Sequence, residues 1–181
     1  MVKIAYNPFI DSAITNYDQF KKYGFVLFPN WDIIKNRVQN NLDQIKNNYF
    51  FGEKTIILGQ RGIGKTSNLF AVKELIEKEG IRVELFSRLI EDADHFRIII
   101  GESLWNASLK PIYILIDFPD TLDLKSFKRF LEFLWSLMTH KNFDKINLIF
   151  SMNHSHYEKS FSYSEIMGKF TTHRLEPLNK E

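Results

Sequence analysis

From residue 55 onward, short unbroken apolar runs alternate with longer stretches in which apolar residues recur every three or four positions. Thr55-Ile56-Ile57-Leu58, Pro111-Ile112-Tyr113-Ile114-Leu115-Ile116 and Ile146-Asn147-Leu148-Ile149-Phe150 are too short for helices and rich in β-branched residues. They read as strands buried on both faces, as in a parallel sheet. Ile81-Arg82-Val83-Glu84-Leu85-Phe86 alternates apolar with polar and reads as a half-buried strand, and a fifth strand is expected near 171–176. Between the strands, helical spacing predicts a helix from about Lys65 to Lys78, closed by Gly80, and another from Leu124 to Met138. Residues 90–109 carry mixed helical signals, and a short helix is expected near 155–167.

Upstream, Ile33, Ile34, Val38, Leu42 and Ile45 mark a helix over 32–48, with Asn30 placed to cap it. Residues 1–30 are aromatic-rich and broken by Pro8, Gly24 and Pro29. They read as a lead-in segment with one short helix near 13–22, ahead of a core domain over 31–181. Strand–helix alternation on this scale predicts an α/β domain with helices on both faces of a parallel sheet.

The 181-residue length suits one such domain, and 44% hydrophobic residues suffice for its core. The net charge of +2 neither demands nor excludes nucleic acid. With no cysteine there is no disulfide framework, thiol nucleophile or Cys-based zinc site. No apolar run approaches the ~20 residues of a membrane span, and the N-terminus lacks the pattern of a secretory leader. A soluble, cytoplasmic protein without membrane contact is the expectation. His140, His154, His156 and His173 lack partners at metal-ligand spacing, and His154 and His156 read as loop or nucleotide-edge residues.

The decisive motif is Gly59-Gln60-Arg61-Gly62-Ile63-Gly64-Lys65-Thr66, which matches G-x-x-x-x-G-K-[ST] between a strand signal and a helix signal. A triphosphate needs several backbone N–H donors converging on its oxygens, and glycine allows the chain that close. The helix that follows points the positive end of its dipole at the phosphates. Residues Gly59 to Ser67 are therefore the candidate nucleotide cradle. Lys65 is the charge for the β- and γ-phosphates, and the Thr66 hydroxyl is a Mg²⁺ ligand. Asp117 closes a buried strand and is the candidate carboxylate for the Mg²⁺ shell; a turn-capping role before Pro119 is the other reading. Asn153 follows the next buried strand, at the sheet edge where α/β folds bind ligands. It reads either as a residue that orients the attacking water or as a turn asparagine.

In this order, Gly59–Thr66, Ile112–Asp117 and Asn153, the sequence resembles the AAA+ ATPases, and more loosely their archaeal-type, origin-recognition and Cdc6-like branch. The resemblance covers about residues 31–178. It implies a three-layer P-loop NTPase with a five-stranded parallel sheet in the order 5-1-4-3-2, with ATP and Mg²⁺ bound. It also implies that Tyr6-Asn7-Pro8-Phe9 packs near the adenine.

The sequence departs from the family pattern in three places. The family's Glu after the Mg²⁺-binding Asp is replaced by Phe118-Pro119-Asp120, so Asp120 stands as the substitute base or as a turn cap. Gly168-Lys169-Phe170 stands where an arginine finger is usual, with Arg174 nearby. Leu175-Glu176-Pro177-Leu178 resembles the strand exit into a helical lid, which is absent from 31–181. Lys125, Lys128 and Arg129 would share one helix face, either a solvated face or a contact for DNA phosphates.

The leading expectation is an ATPase or ATP switch in a DNA-replication-type transaction, working as a homo- or hetero-oligomer. The alternative is an ATP-holding scaffold that hydrolyses little and acts through protein partners. A GTPase is disfavoured by the lack of Asn-Lys-x-Asp, and a small-molecule kinase by the lack of an Arg-bearing lid.

Overall fold

The computed structural model describes residues 17–18, 31–49, 51–87, 93–107, 109–119 and 122–175. The lead-in over 1–30 thus lies outside the described residues except for Tyr17 and Asp18, and so do the expected cap Asn30 and the exit residues Glu176, Pro177 and Leu178.

The elements run α1 (Trp31–Lys46), β1 (Lys54–Leu58), α2 (Lys65–Lys78), β2 (Arg82–Phe86), α3 (Ala93–Asn106), β3 (Ile112–Asp117), α4 (Leu124–Leu137), β4 (Asn147–Met152), α5 (His154–Lys159), α6 (Ser164–Met167) and β5 (Thr171–Arg174). The five strands form one parallel sheet in the order β2-β3-β4-β1-β5, which is the expected order read from the opposite edge. Strands β1, β3 and β4 occupy the middle and are buried almost throughout, which is why they appear as unbroken apolar runs. The edge strand β2 keeps Arg82 exposed, hence its alternation.

Successive side chains of each central strand serve opposite layers. Ile57, Tyr113, Leu115 and Ile149 pack with α1 and α2 on one face. Ile56, Leu58, Ile114, Ile116, Leu148 and Phe150 pack with α3, α4 and α6 on the other. In α4 the apolar stripe is Phe127, Phe130, Leu131 and Leu134, while Lys125, Lys128 and Arg129 face solvent. Tyr17 ties the lead-in to α2: its hydroxyl donates to Glu77 at 2.6 Å, and its ring lies 5.7 Å from that of Phe70. Among the described residues, no helix is long and apolar enough to cross a membrane.

The helix expected near 155–167 is broken. The Ser160 hydroxyl donates to the Tyr157 carbonyl at 2.5 Å, taking an acceptor that the helical ladder would use. The chain tightens into a 3-10 turn over Ser160–Tyr163 before α6 begins.

At the N-terminal edge of the sheet, the Lys54 ammonium is buried and donates to the Asp144 and Ile146 carbonyls at 3.1 and 3.4 Å. Burial disfavours its charge and lowers its pKa to about 8, against an opposing pull from the Asp144 carboxylate. From pH 8 upward the folded state releases this proton while the unfolded chain still holds it. Stability therefore rises with pH through that window, by up to roughly 3 kcal/mol for a depression of this size. Urea unfolding between pH 7.5 and 9.5 should show this rise, and Lys54→Met should flatten it. A wild-type profile that is flat or falling over this range would contradict the burial of a charged Lys54.

Candidate functional site

The C-terminal edge of the sheet gathers the motif residues. Strand β1 ends at Leu58, and the Gly59 N–H donates to the Met152 carbonyl at 3.2 Å, anchoring the loop to β4. A Cβ at Gly59 would stand 2.5 Å from the Ile63 side chain, so the loop closes this tightly only around glycine. Gly62 and Gly64 have φ of 79° and 93°, in the left-handed region that glycine enters without strain. Gly64 also precedes α2 with no side-chain cap. The first turn of α2 thus presents its backbone amides toward the loop with no capping oxygen from Gly64. Asn68, fully buried, donates to the Gly64 carbonyl at 2.9 Å and steadies this junction.

Lys65 folds back over the loop, and its ammonium donates to the Gln60 carbonyl at 2.9 Å. The Thr66 hydroxyl donates to Asp117 Oδ2 at 2.6 Å. The residue with the expected magnesium-binding hydroxyl and the residue with the expected magnesium-binding carboxylate, far apart in sequence, are thus in direct contact. Both fit an oxygen-seeking divalent cation. Gln60 and Arg61 are exposed on the loop, and Ser67 is buried in the first turn of α2.

Asp117 has a second partner that the sequence reading missed. The Ser151 hydroxyl donates to Asp117 Oδ1, and the Phe118 N–H donates to the Ser151 carbonyl at 3.0 Å. The only sequence signal was a polar residue near the end of a mostly apolar strand.

Asn153 lies one residue beyond Met152, the partner of Leu58, and so stands level with the start of the loop. It caps α5: its Oδ1 accepts from the His156 N–H at 2.8 Å and from the Ser155 hydroxyl at 2.9 Å. His156, expected as a loop or nucleotide-edge residue, is instead in the core: it is 2% exposed, its ring lies tilted 5.0 Å from that of Phe127, and it meets the Leu122 carbonyl at 2.9 Å. It ties α5 to the loop between β3 and α4. Among the described residues, no group of three His, Asp or Glu is placed to hold a metal.

No protein-family model matches this chain, and no curated protein matches its sequence. Solved structures do. The Aeropyrum pernix ORC2 protein, in ADPNP and ADP complexes, superposes with a TM-score of 0.56 at 15% identity, over 82% of this chain and 48% of its own. Cdc6p from Pyrobaculum aerophilum gives 0.55 at 18% identity, over 86% and 47%. AMPPCP-bound DnaA from Aquifex aeolicus gives 0.53 at 19% identity, over 86% and 50%. This chain has the AAA+ P-loop fold. It spans about half the length of these three proteins.

Within that AAA+ frame, the position after Asp117 is occupied by a core residue. Phe118 is 1% exposed and makes edge-on contacts with Phe127, Phe130 and Phe150 at centroid distances of 5.3, 5.0 and 5.7 Å. Asp120, expected either as a substitute base or as a turn cap, lies outside the described residues. Lys169, in the stretch where the resemblance led to an arginine finger being expected, is engaged by Asp144 at 2.8 Å, near the N-terminal end of β4 and away from the P-loop edge. Arg174 ends β5 opposite Leu58, at the same edge as the P-loop.

Proposed function

We propose that this chain is an ATP- and Mg²⁺-binding AAA+ module that works as a nucleotide switch with slow turnover. The observation that carries the reading is the contact between Thr66 and Asp117 beside a glycine loop closed by Lys65. In this reading the loop amides and the first turn of α2 hold the phosphates, and Lys65 exchanges the Gln60 carbonyl for β- and γ-phosphate oxygens. Thr66 and Asp117 would hold the cation, whose positive charge would offset that of the phosphates. Adenine is favoured because the solved ORC2 and DnaA structures carry adenine nucleotides or their analogues and because the chain lacks a guanine motif.

Hydrolysis is the point on which the two expectations differ, and Phe118 favours the slower one. The residue after Asp117 contributes a buried ring where a carboxylate would activate water. Asn153 orients water through its amide, and Asp120 remains as the candidate base. A DNA-replication-type role rests on the resemblance to the origin-recognition branch and on the exposed face of Lys125, Lys128 and Arg129, none of which has an ion-pair partner among the described residues. Arg129 also lines a groove between α3 and α4 with Arg97 and Ser126. Assembly with other subunits, of the same or another kind, belongs to the same proposal.

The test is nucleotide binding and turnover by the purified chain with Mg²⁺, with Lys65→Ala as control, with and without duplex DNA. ATP should bind in preference to GTP, and turnover should be slow. Lys65→Ala should weaken ATP binding about 10- to 100-fold, as expected for loss of a charged hydrogen-bond donor worth ~1.5–3 kcal/mol. Equal binding by wild type and Lys65→Ala would sink the proposal. Stimulation of turnover by DNA would support the replication-type reading, and its absence would favour the scaffold acting through protein partners.

A further inference from the structure

We propose that Ser151 is a positioning residue for the divalent cation, setting cation affinity by locking the Asp117 carboxylate from behind. The proposal rests on the nucleotide reading above and assigns a role to a residue that the P-loop motif does not include.

Three observations carry it. First, Asp117 is held at both oxygens: Thr66 takes Oδ2, and the Ser151 hydroxyl takes Oδ1. A carboxylate held at one oxygen still rotates about its terminal torsion, which has a broad, two-fold profile. Held at both, it has one orientation. Second, the two residues are register partners across β3 and β4, and the Phe118 N–H donates to the Ser151 carbonyl at 3.0 Å. The donor is therefore fixed by the sheet ladder rather than by a loop. Third, Ser151 is fully buried, as are Ile149, Phe150 and Met152 around it. A hydroxyl in such a place costs desolvation unless it is bonded, and the bond it makes is to the cation-binding carboxylate.

The placement also links two parts of the site. Ser151 and Asn153 are two residues apart at the end of β4, with Asn153 level with the start of the P-loop. Ser151 touches neither the nucleotide nor the cation in this account. It acts through Asp117, as partners behind a metal ligand do, and losing such a partner typically weakens metal affinity about 10- to 100-fold.

The experiment measures binding of a fluorescent ATP analogue to the full chain in saturating Mg²⁺ and in excess EDTA. The ratio of the two dissociation constants isolates the contribution of the cation. Ser151→Ala should reduce that ratio about tenfold while leaving the EDTA constant within about twofold. Ser151→Cys, which fills the space but donates weakly, should behave like Ser151→Ala. An unchanged ratio in Ser151→Ala overturns the proposal, and so does an equal loss in Mg²⁺ and in EDTA, which would mark a general packing defect. A retained ratio in Ser151→Cys alongside a reduced one in Ser151→Ala would assign the effect to volume and likewise overturn it. A wild-type chain that binds no nucleotide, or binds as Lys65→Ala does, defeats the nucleotide reading itself. That outcome is distinct from a wild-type chain that binds with a large ratio which Ser151→Ala leaves intact.

Discussion

Phe118→Glu is expected to unfold the domain rather than supply it with a catalytic base. Read from sequence alone, the change restores the usual acidic pair after β3 and should accelerate hydrolysis. The structure predicts the opposite. Position 118 is 1% exposed and its ring sits among Phe127, Phe130 and Phe150, on the side of the sheet covered by α3 and α4. Removing a buried phenyl ring costs about 3–5 kcal/mol before any charge is considered. A carboxylate left in that cluster without a partner adds several more, or takes up a proton and ceases to be a base. Against a typical stability of about 5–15 kcal/mol, the sum removes most or all of the folded state. Urea unfolding of Phe118→Glu, with Phe118→Leu as a milder companion, measures this directly. A well-folded Phe118→Glu protein with faster ATP turnover would show that the strand end can present residue 118 to the nucleotide. The account of slow hydrolysis would then be wrong.

Asp117→Asn should abolish the strengthening of ATP binding by Mg²⁺ while leaving binding in EDTA unharmed or improved. The sign follows from charge. In the proposed site Asp117 is a negative group beside a triphosphate, and only the cation makes that arrangement favourable. Without the cation, neutralising Asp117 removes a repulsion. With it, the variant loses an anionic oxygen ligand, and a fall of at least about 100-fold in Mg²⁺-dependent affinity is expected, beyond the 10- to 100-fold typical of a residue one step behind the metal. The fold should survive, since an asparagine oxygen can still accept one of the two hydroxyls from Thr66 and Ser151. Titration of the wild type and Asp117→Asn with a fluorescent ATP analogue, with and without Mg²⁺, reads the sign. An Asp117→Asn protein that keeps full Mg²⁺-dependent binding would place the cation elsewhere. It would also leave the Thr66–Asp117 contact with a structural role alone.

The chemistry nearest the phosphates was legible before any fold was known. A loop that wraps a triphosphate needs glycines at set spacing, then a lysine and a hydroxyl on the next helix, all within eight consecutive residues, Gly59 to Thr66. Local requirements of this kind leave a local signature. The same holds for the buried central strands, whose two covered faces make unbroken apolar runs, and for the amphipathic stripe of α4. The helix expected over 155–167 is present but interrupted by a 3-10 turn at Ser160–Tyr163, where a serine hydroxyl competes for a backbone acceptor, a feature with no reliable pattern in the sequence.

What the sequence by itself determined is the presence of a P-loop, the alternation of strands and helices, and, through resemblance to the AAA+ proteins, the order of the sheet. Only the tertiary structure decided which polar residues share a site. Ser151 and Asp117 meet because β3 and β4 lie side by side in register, a relation between residues 34 positions apart that no short pattern encodes. Phe118 is a core residue rather than a site residue because the strand exit turns it into an aromatic cluster assembled from α4 and β4. His156, expected in a loop or at the nucleotide edge, lies in the core for the same reason: the alternation of a chain tells which residues are apolar, but only the packing of distant elements tells which face each one meets.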